Sequence, residues 1–285
     1  MNFSFDKLTA VLSLISILLL AGCGKKELIR PGDSLDTAYE KALNQYEKEN
    51  YREAIDAFET VLQIGRGTAY AENAQYYLAE SYFQKKDYLL AASEYERFSS
   101  LYPRSERREE VDFKEAFCYY KLSPRYQLEQ KYTRRAIEKF RLFQSRYPDS
   151  ERIKETAKYI TDMRSKLAKK LYYAADLYMR LDQFEAATIY YSMTIDRYPE
   201  TSWAELALVK QINAYVIYAN RSVRERQEER YQKAIDSYEK YLQLFPNGKH
   251  RSEAENYVDD AREALANLSP VQQTSTASSD TTNQR

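Results

Sequence analysis

Histidine is nearly absent: His250, beside Gly248 and Lys249 in a loop pattern, is the single one. A structural zinc site or a histidine-based catalytic triad needs partners the chain does not offer, so both are excluded. Glycine is scarce too, and Gly22, Gly24, Gly32, Gly65, Gly67 and Gly248 never fall in the spacing that lets backbone N–H groups cradle a phosphate. Net charge is lacking altogether. The 43 Lys plus Arg balance 43 Asp plus Glu, which leaves no long-range field to gather nucleic acid or an anionic lipid surface. Apolar runs are missing beyond residue 20, and a mean hydropathy of −0.73 describes a soluble body. Carboxylates are plentiful, but they alternate with Lys and Arg on helix faces, the pattern of solvated ion pairs. No nucleophile, base and orienting group can be assembled. The expectation is a protein that binds rather than catalyses, with no metal and no cofactor.

The first informative segment present is N-terminal. Lys7 supplies a positive start and Leu8 to Leu20 an apolar core too short to cross ~30 Å of hydrocarbon as a permanent helix, so it reads as a signal peptide. It closes on Leu20-Ala21-Gly22-Cys23, which resembles the lipobox of bacterial lipoproteins. That likeness implies cleavage before Cys23 and a covalent lipid on it, S-diacylglycerol and an N-acyl chain. At ~0.8 kcal/mol per buried CH₂ such an anchor holds a protein on a membrane essentially permanently. Gly24 stands where inner-membrane lipoproteins often carry Asp, so the outer membrane is the expected address. With Cys23 acylated, Cys118 is the last cysteine and no internal disulfide can form. Cys118 lies among Phe117, Tyr119 and Tyr120 in a helical pattern and is expected to be a buried structural thiol.

The body holds 28 Tyr and 11 Phe at helical spacing, with almost no interior Gly or Pro, and so reads as all-α. One phrase recurs five times: Ala54-Ile55 then Phe58, Ala91-Ala92 then Tyr95, Ala136-Ile137 then Phe140, Ala187-Thr188 then Tyr191, Ala234-Ile235 then Tyr238. Eight residues after the aromatic come Pro103, Pro148, Pro199 and Pro246, with Arg66 between Gly65 and Gly67 in the first copy. Proline ends a helix because it lacks the N–H and clashes with the preceding turn. Upstream of each phrase a second helical pattern carries a small or apolar residue and then a tyrosine: Ala42 and Tyr46, Ala79 and Tyr82, Ala116 and Tyr119, Ala175 and Tyr178, Ile212 and Tyr215. Small residues let two antiparallel helices approach closely, and the aromatics fill the space between pairs. This is the tetratricopeptide signature, and units this small must stack into a solenoid to bury their apolar faces.

The repeated alanines are unevenly spaced, all above the ~34 residues of an ideal repeat. The excess predicts a longer turn over Leu122 to Tyr132 inside repeat 3, an extended or extra helix over Glu151 to Arg164 before repeat 4, and a wider connection over Asn220 to Arg230 inside repeat 5. The expected organisation is a signal peptide at 1–22, a lipidated tether at 23–35, a five-pair solenoid at 36–268 and a disordered polar tail at 269–285. The repeats are placed at 36–70, 71–106, 107–150, 151–202 and 203–268. The tail lacks the apolar surface that would offset ordering entropy.

A lipobox followed at once by five degenerate repeats, the third enlarged, resembles the BamD family of outer-membrane assembly lipoproteins, also called ComL/YfiO. The likeness is carried by Asn50-Tyr51-Arg52-Glu53-Ala54-Ile55, by Arg134-Arg135-Ala136-Ile137-Glu138-Lys139-Phe140 with Tyr147-Pro148-Asp149-Ser150, and by Arg164 to Lys169 leading into Tyr172-Tyr173-Ala174-Ala175-Asp176-Leu177-Tyr178. The chain departs from the pattern at Gly65-Arg66-Gly67, in the charged fifth repeat and in the tail. The resemblance implies a periplasm-facing scaffold on the outer membrane that binds a BamA-like barrel protein through its later repeats, alongside other lipoproteins of the assembly complex. The earlier repeats would meet the C-terminal signals of unfolded outer-membrane proteins. Tyr39, Tyr46, Tyr76, Phe83, Phe113 and Tyr120 are the candidate peptide-binding aromatics, which offer large contact area at low rotamer cost. Trp203, just after Pro199, is the candidate partner anchor. The same lipobox and fold would also suit an adaptor for peptidoglycan or other cell-envelope enzymes.

Overall fold

The computed structural model describes residues 28–268. The signal peptide, the Cys23 lipidation site and the polar tail lie outside the described residues. Within them every regular element is an α-helix, and the chain divides into two compact units between Val111 and Asp112.

The first unit contains α1 (Leu35–Glu47), α2 (Tyr51–Ile64), α3 (Ala69–Gln84) and α4 (Tyr88–Leu101), each packed on the next, with α1 also touching α3. The second contains α5 (Arg108–Leu122) from Asp112 onward, then α6 (Lys131–Arg146), α7 (Ile153–Arg180), α8 (Phe184–Arg197), α9 (Ser202–Asn220), α10 (Arg224–Leu244) and α11 (Arg251–Leu268). Helices α6 to α11 again pack in sequence, with α9 also against α7 and α11. The ten helices α1 to α10 form five consecutive pairs of the tetratricopeptide type, and α11 covers the last.

The repeated residues occupy equivalent places. Ala54, Ala91, Ala136, Ala187 and Ala234 are all fully buried, as are Ala42, Ala79, Ala116, Ala175 and Ile212. Phe58, Tyr95 and Phe140 are fully buried with them, and Tyr191 and Tyr238 nearly so; each contributes roughly 1.5–3 kcal/mol by leaving water. Cys118 is buried as expected.

Two recurrent turns set the helix lengths. Inside a pair, Glu49, Lys86 and Asp182 adopt φ of 60°, 66° and 56°, and the next N–H reaches back to close the helix: Asn50 to the Gln45 carbonyl, Asp87 to Tyr82 and Gln183 to Tyr178, all 2.9 Å. This closure usually employs glycine; a side chain there costs on the order of 1 kcal/mol. Between pairs, an aromatic precedes the proline and its carbonyl accepts an N–H three residues on: Tyr102 from Ser105, Tyr147 from Ser150, Tyr198 from Thr201, Phe245 from Gly248. In the first repeat Gly65-Arg66-Gly67-Thr68 replaces this turn, with Gly67 at φ 80° and the Thr68 N–H on the Gly65 carbonyl at 3.1 Å.

An acidic residue on the first helix of a pair then ties down the turn that ends the pair. Glu72 accepts from the Ser105 hydroxyl at 2.6 Å, and Asp112 from the Tyr147 hydroxyl at 2.9 Å and from Arg146. Glu205 accepts from the Tyr241 hydroxyl and the His250 N–H, both at 3.0 Å. Gly248 lies so close beneath that a Cβ there would sit 2.2 Å from the Tyr241 hydroxyl.

Three expectations are corrected. Of the extended or extra helix expected before repeat 4, the extended one forms and no separate helix precedes the repeat: the segment lies in α7, one continuous helix of 28 residues from Ile153, because Met163, Leu167 and Ala168 carry its buried stripe through without a breaker. The charged stretch of repeat 5 does not widen the turn, which is only Arg221 to Val223; it lengthens α10 to 21 residues. Leu28 and Ile29, assigned by sequence to the tether at 23–35, pack on the core of α1 to α3. Arg30-Pro31-Gly32-Asp33 then makes a turn with Gly32 at φ 97°, held by the Asp33 N–H on the Arg30 carbonyl at 3.0 Å, and Ser34 caps α1 by accepting the Thr37 N–H at 3.2 Å. The loop over 123–130 in repeat 3 is present as expected.

Candidate functional site

The candidate aromatics of the first unit lie on the first helices of its pairs. Tyr39 and Tyr46 on α1, and Tyr76 and Phe83 on α3, are all half-buried. Tyr39 meets Phe58 at 6.3 Å and Tyr70 at 5.3 Å between ring centres. Tyr46 meets Tyr51 and Tyr77, and Tyr77 meets Tyr76, so Tyr46 and Tyr76 are joined through one ring. Phe83 stands a further two turns along, against Tyr88 and Tyr95.

Carboxylates hold the rims of these rings. Tyr76 donates to Glu110 at 3.0 Å, while the Arg107 guanidinium lies 4.4 Å over its ring and donates to Asn73 at 2.8 Å. Burial first, then Glu80 and Glu110, push the Tyr76 hydroxyl far above the usual phenol range, so it acts only as a neutral hydrogen-bonding group. Tyr70 donates to Asp36 at 2.6 Å and Tyr82 to Glu59 at 3.1 Å. Burial and then Glu59 raise the Tyr82 hydroxyl to about 12. Beneath this surface Gln75 is fully buried and donates to Glu94 at 2.7 Å, yet its side-chain oxygen accepts no hydrogen bond.

Phe113 and Tyr120 belong to the second unit. Phe113 is only 6% exposed, stacked on Phe117, tilted against Phe140 and edge-on to Phe143, with the Arg152 guanidinium 4.4 Å over it. Its ring is committed to the core. Tyr120 is half-buried against Phe117 and Tyr159.

Trp203 is half-buried at the start of α9, with Tyr172 and Tyr173 at 5.3 and 5.8 Å. It lines a cavity of about 490 Å³ with Tyr126 and Gln127 from the repeat 3 loop and with Asp162, Lys166 and Lys169 from α7. The Tyr126 and Lys169 contributions were not foreseen, although the loop that carries Tyr126 is the insertion that the repeat spacing exposed. Among the described residues no group of three or more His, Cys, Asp or Glu side chains could hold a metal ion. None of the described helices is long and apolar enough to cross a membrane.

A family model described as "YfiO: Outer membrane lipoprotein" matches residues 32–219. The chain belongs to the YfiO family. That lipoprotein family is non-enzymatic. The chain is 24% identical to the outer membrane protein assembly factor BamD of Caulobacter vibrioides over 73% of its own length and 69% of that protein. It is 26% identical to a putative assembly factor BamD of Aquifex aeolicus over 90% of this chain and 84% of that one. For the BamD of Vibrio cholerae the identity is 23%, over 71% and 88%. Among solved structures it is similar to the P58(IPK) tetratricopeptide domain, at 16% identity, a TM-score of 0.40 and coverage of 96% and 67%. A second is the TPR2AB domain of yeast Sti1, at 14%, 0.36, and coverage of 80% and 98%.

Proposed function

We propose that this chain is a lipid-anchored, non-catalytic scaffold for assembling outer-membrane proteins; its relatives' names describe them as outer membrane protein assembly factors. Cys23 carries the acyl anchor, and the folded body faces the periplasm. The second unit binds the periplasmic domains of a BamA-like barrel protein, alongside the other lipoproteins of the complex. The first unit receives the C-terminal signal of an unfolded outer-membrane protein on Tyr39, Tyr46, Tyr76 and Phe83. Phe113, buried in the core of the second unit, is left out of that surface.

The observation that carries this reading is the row of half-buried rings on α1 and α3. Each ring is held by neighbouring aromatics, so a peptide ending in an aromatic residue can be gripped with little further loss of rotamer freedom. A transient hand-over needs only modest affinity, micromolar or about −8 kcal/mol.

Two experiments test it. Purification from membranes in mild detergent should recover a large barrel protein with tandem periplasmic domains; recovery of peptidoglycan enzymes in its place would move the assignment to an envelope-enzyme adaptor. Tyr76→Glu and Phe83→Glu should weaken capture of a barrel C-terminal peptide about tenfold or more in a chain that keeps its helical circular dichroism. Undiminished capture by the folded variants would remove that surface from the proposal.

A further inference from the structure

The cavity beside Trp203 gathers cations that form no ion pair. Several cations elsewhere in the second unit do meet carboxylates: Lys210 with Glu253 at 2.8 Å, Lys240 with Asp196 at 3.0 Å, Lys139 with Glu115 at 2.5 Å. In the cavity of about 420 Å³ around Tyr218 two of the three basic side chains share a carboxylate, Lys233 on Glu229 at 2.7 Å and Arg226 on the same group at 3.5 Å, while Arg230 donates to the Tyr218 hydroxyl at 2.8 Å.

The Trp203 cavity is lined by Arg125, Lys166 and Lys169, and none of these three is ion-paired. Lys166 is half-buried and its ammonium donates only to the Ser123 hydroxyl, at 2.7 Å; burial lowers its proton affinity, as expected of a partly desolvated cation with no countercharge. Lys169 is held by ring faces alone, 4.8 Å from the centre of Tyr126, 5.5 Å from Trp203 and 5.9 Å from Tyr173. The one carboxylate in the lining, Asp162, forms no ion pair with them. Tyr173 on the rim is itself 39% exposed.

We propose that this cavity is a docking site for an acidic segment of a partner protein in which a carboxylate sits next to an aromatic side chain. Charge complementarity selects the acid: three cations around a floor that carries the Tyr126 and Trp203 rings lack the anion that would neutralise them. The floor selects the aromatic neighbour, since Trp and Tyr rings accept edge-to-face or offset contacts from another ring. Two lysines and one arginine spread around ring faces suit single carboxylates; a phosphate is better served by converging guanidinium forks or a nest of N–H groups. The inference does not depend on which complex the chain joins.

Trp203 is the only tryptophan, so its fluorescence reports the cavity in the full chain. The probes are the acetylated, amidated tripeptide Glu-Phe-Glu, its Gln-Phe-Gln counterpart, inorganic phosphate, and vesicles of phosphatidylglycerol. Glu-Phe-Glu should shift Trp203 emission saturably, with Gln-Phe-Gln at least about tenfold weaker. Lys169→Gln should weaken Glu-Phe-Glu by a similar factor with circular dichroism unchanged. If that variant loses its helical signal, the exposed Arg125→Gln serves instead, with a smaller loss. The proposal falls if no saturable shift is seen, if the two peptides bind alike, if both folded variants bind as the parent does, or if phosphate or vesicles produce the stronger response.

Discussion

The two candidate surfaces, one in each unit, set their aromatic residues among different polar partners. In the first, tyrosine hydroxyls on the rim donate to carboxylates: Tyr76 to Glu110, Tyr70 to Asp36, Tyr82 to Glu59. In the second, the rings around Trp203 face the Lys169 ammonium, and neither it nor the Lys166 and Arg125 side chains of the same lining is answered by a carboxylate. A net charge of zero therefore conceals two local complementarities. The same helix-pair scaffold can offer one surface whose polar groups are already satisfied and selects by ring shape, and another that still lacks an anion and selects by charge.

The comparison breaks most directly at the core. Phe58 and Phe140 fill equivalent places in the two units, both fully buried, and Phe→Ala at either should cost about 3–5 kcal/mol. Because a stacked-repeat protein is stabilised chiefly between neighbours, Phe140→Ala should lower the denaturation midpoint read by Trp203 fluorescence more than Phe58→Ala does. Equal shifts of that signal would mean that the chain unfolds as one cooperative block.

A smaller effect sharpens the contrast at the turns. Glu205 answers a tyrosine hydroxyl and a backbone N–H together, whereas Glu72 accepts from one serine hydroxyl. Glu205→Ala should cost about 1.5–3 kcal/mol and Glu72→Ala about 0.5–1.5, measured as changes in urea midpoint at constant slope. A reversal of that order would show that the second unit holds its turn by packing instead.

Much of this was legible in the residues. The buried alanines, the aromatics four places on and the proline stops carried the helix pairs because volume and a missing N–H act locally. The long α7 was not, since the excess spacing before repeat 4 is equally consistent with a new helix or a longer one; only the continuous buried stripe through Met163 and Leu167 decides. The left-handed Glu49, Lys86 and Asp182 were hidden for a related reason: nothing in a charged side chain announces a conformation that glycine normally supplies. At the candidate sites, residue type pointed to Tyr39, Tyr46, Tyr76, Phe83 and Trp203, but not to the carboxylates or cations around them. Those come from elements far apart in the chain, as with Tyr126 and Lys169.

The smallest expected difference is in acid sensitivity, and its sign follows from the ion pairs of the second unit. Arg164 lowers the Glu200 carboxyl, chiefly by hydrogen bonding, with a guanidinium bond of 3.0 Å. Lys210 does the same to Glu253. A carboxyl whose folded proton affinity lies below its unfolded one stabilises the fold fully above the ordinary value of 4.5. That contribution is lost as pH falls through the lower folded value. Both pairs are partly open to solvent, so each should contribute no more than about 1 kcal/mol. Glu200→Gln should accordingly lower the melting temperature slightly at pH 7 and leave it equal to the parent's once both carboxyls are protonated in strong acid. A deficit that persists unchanged into that range would assign the loss to packing rather than charge.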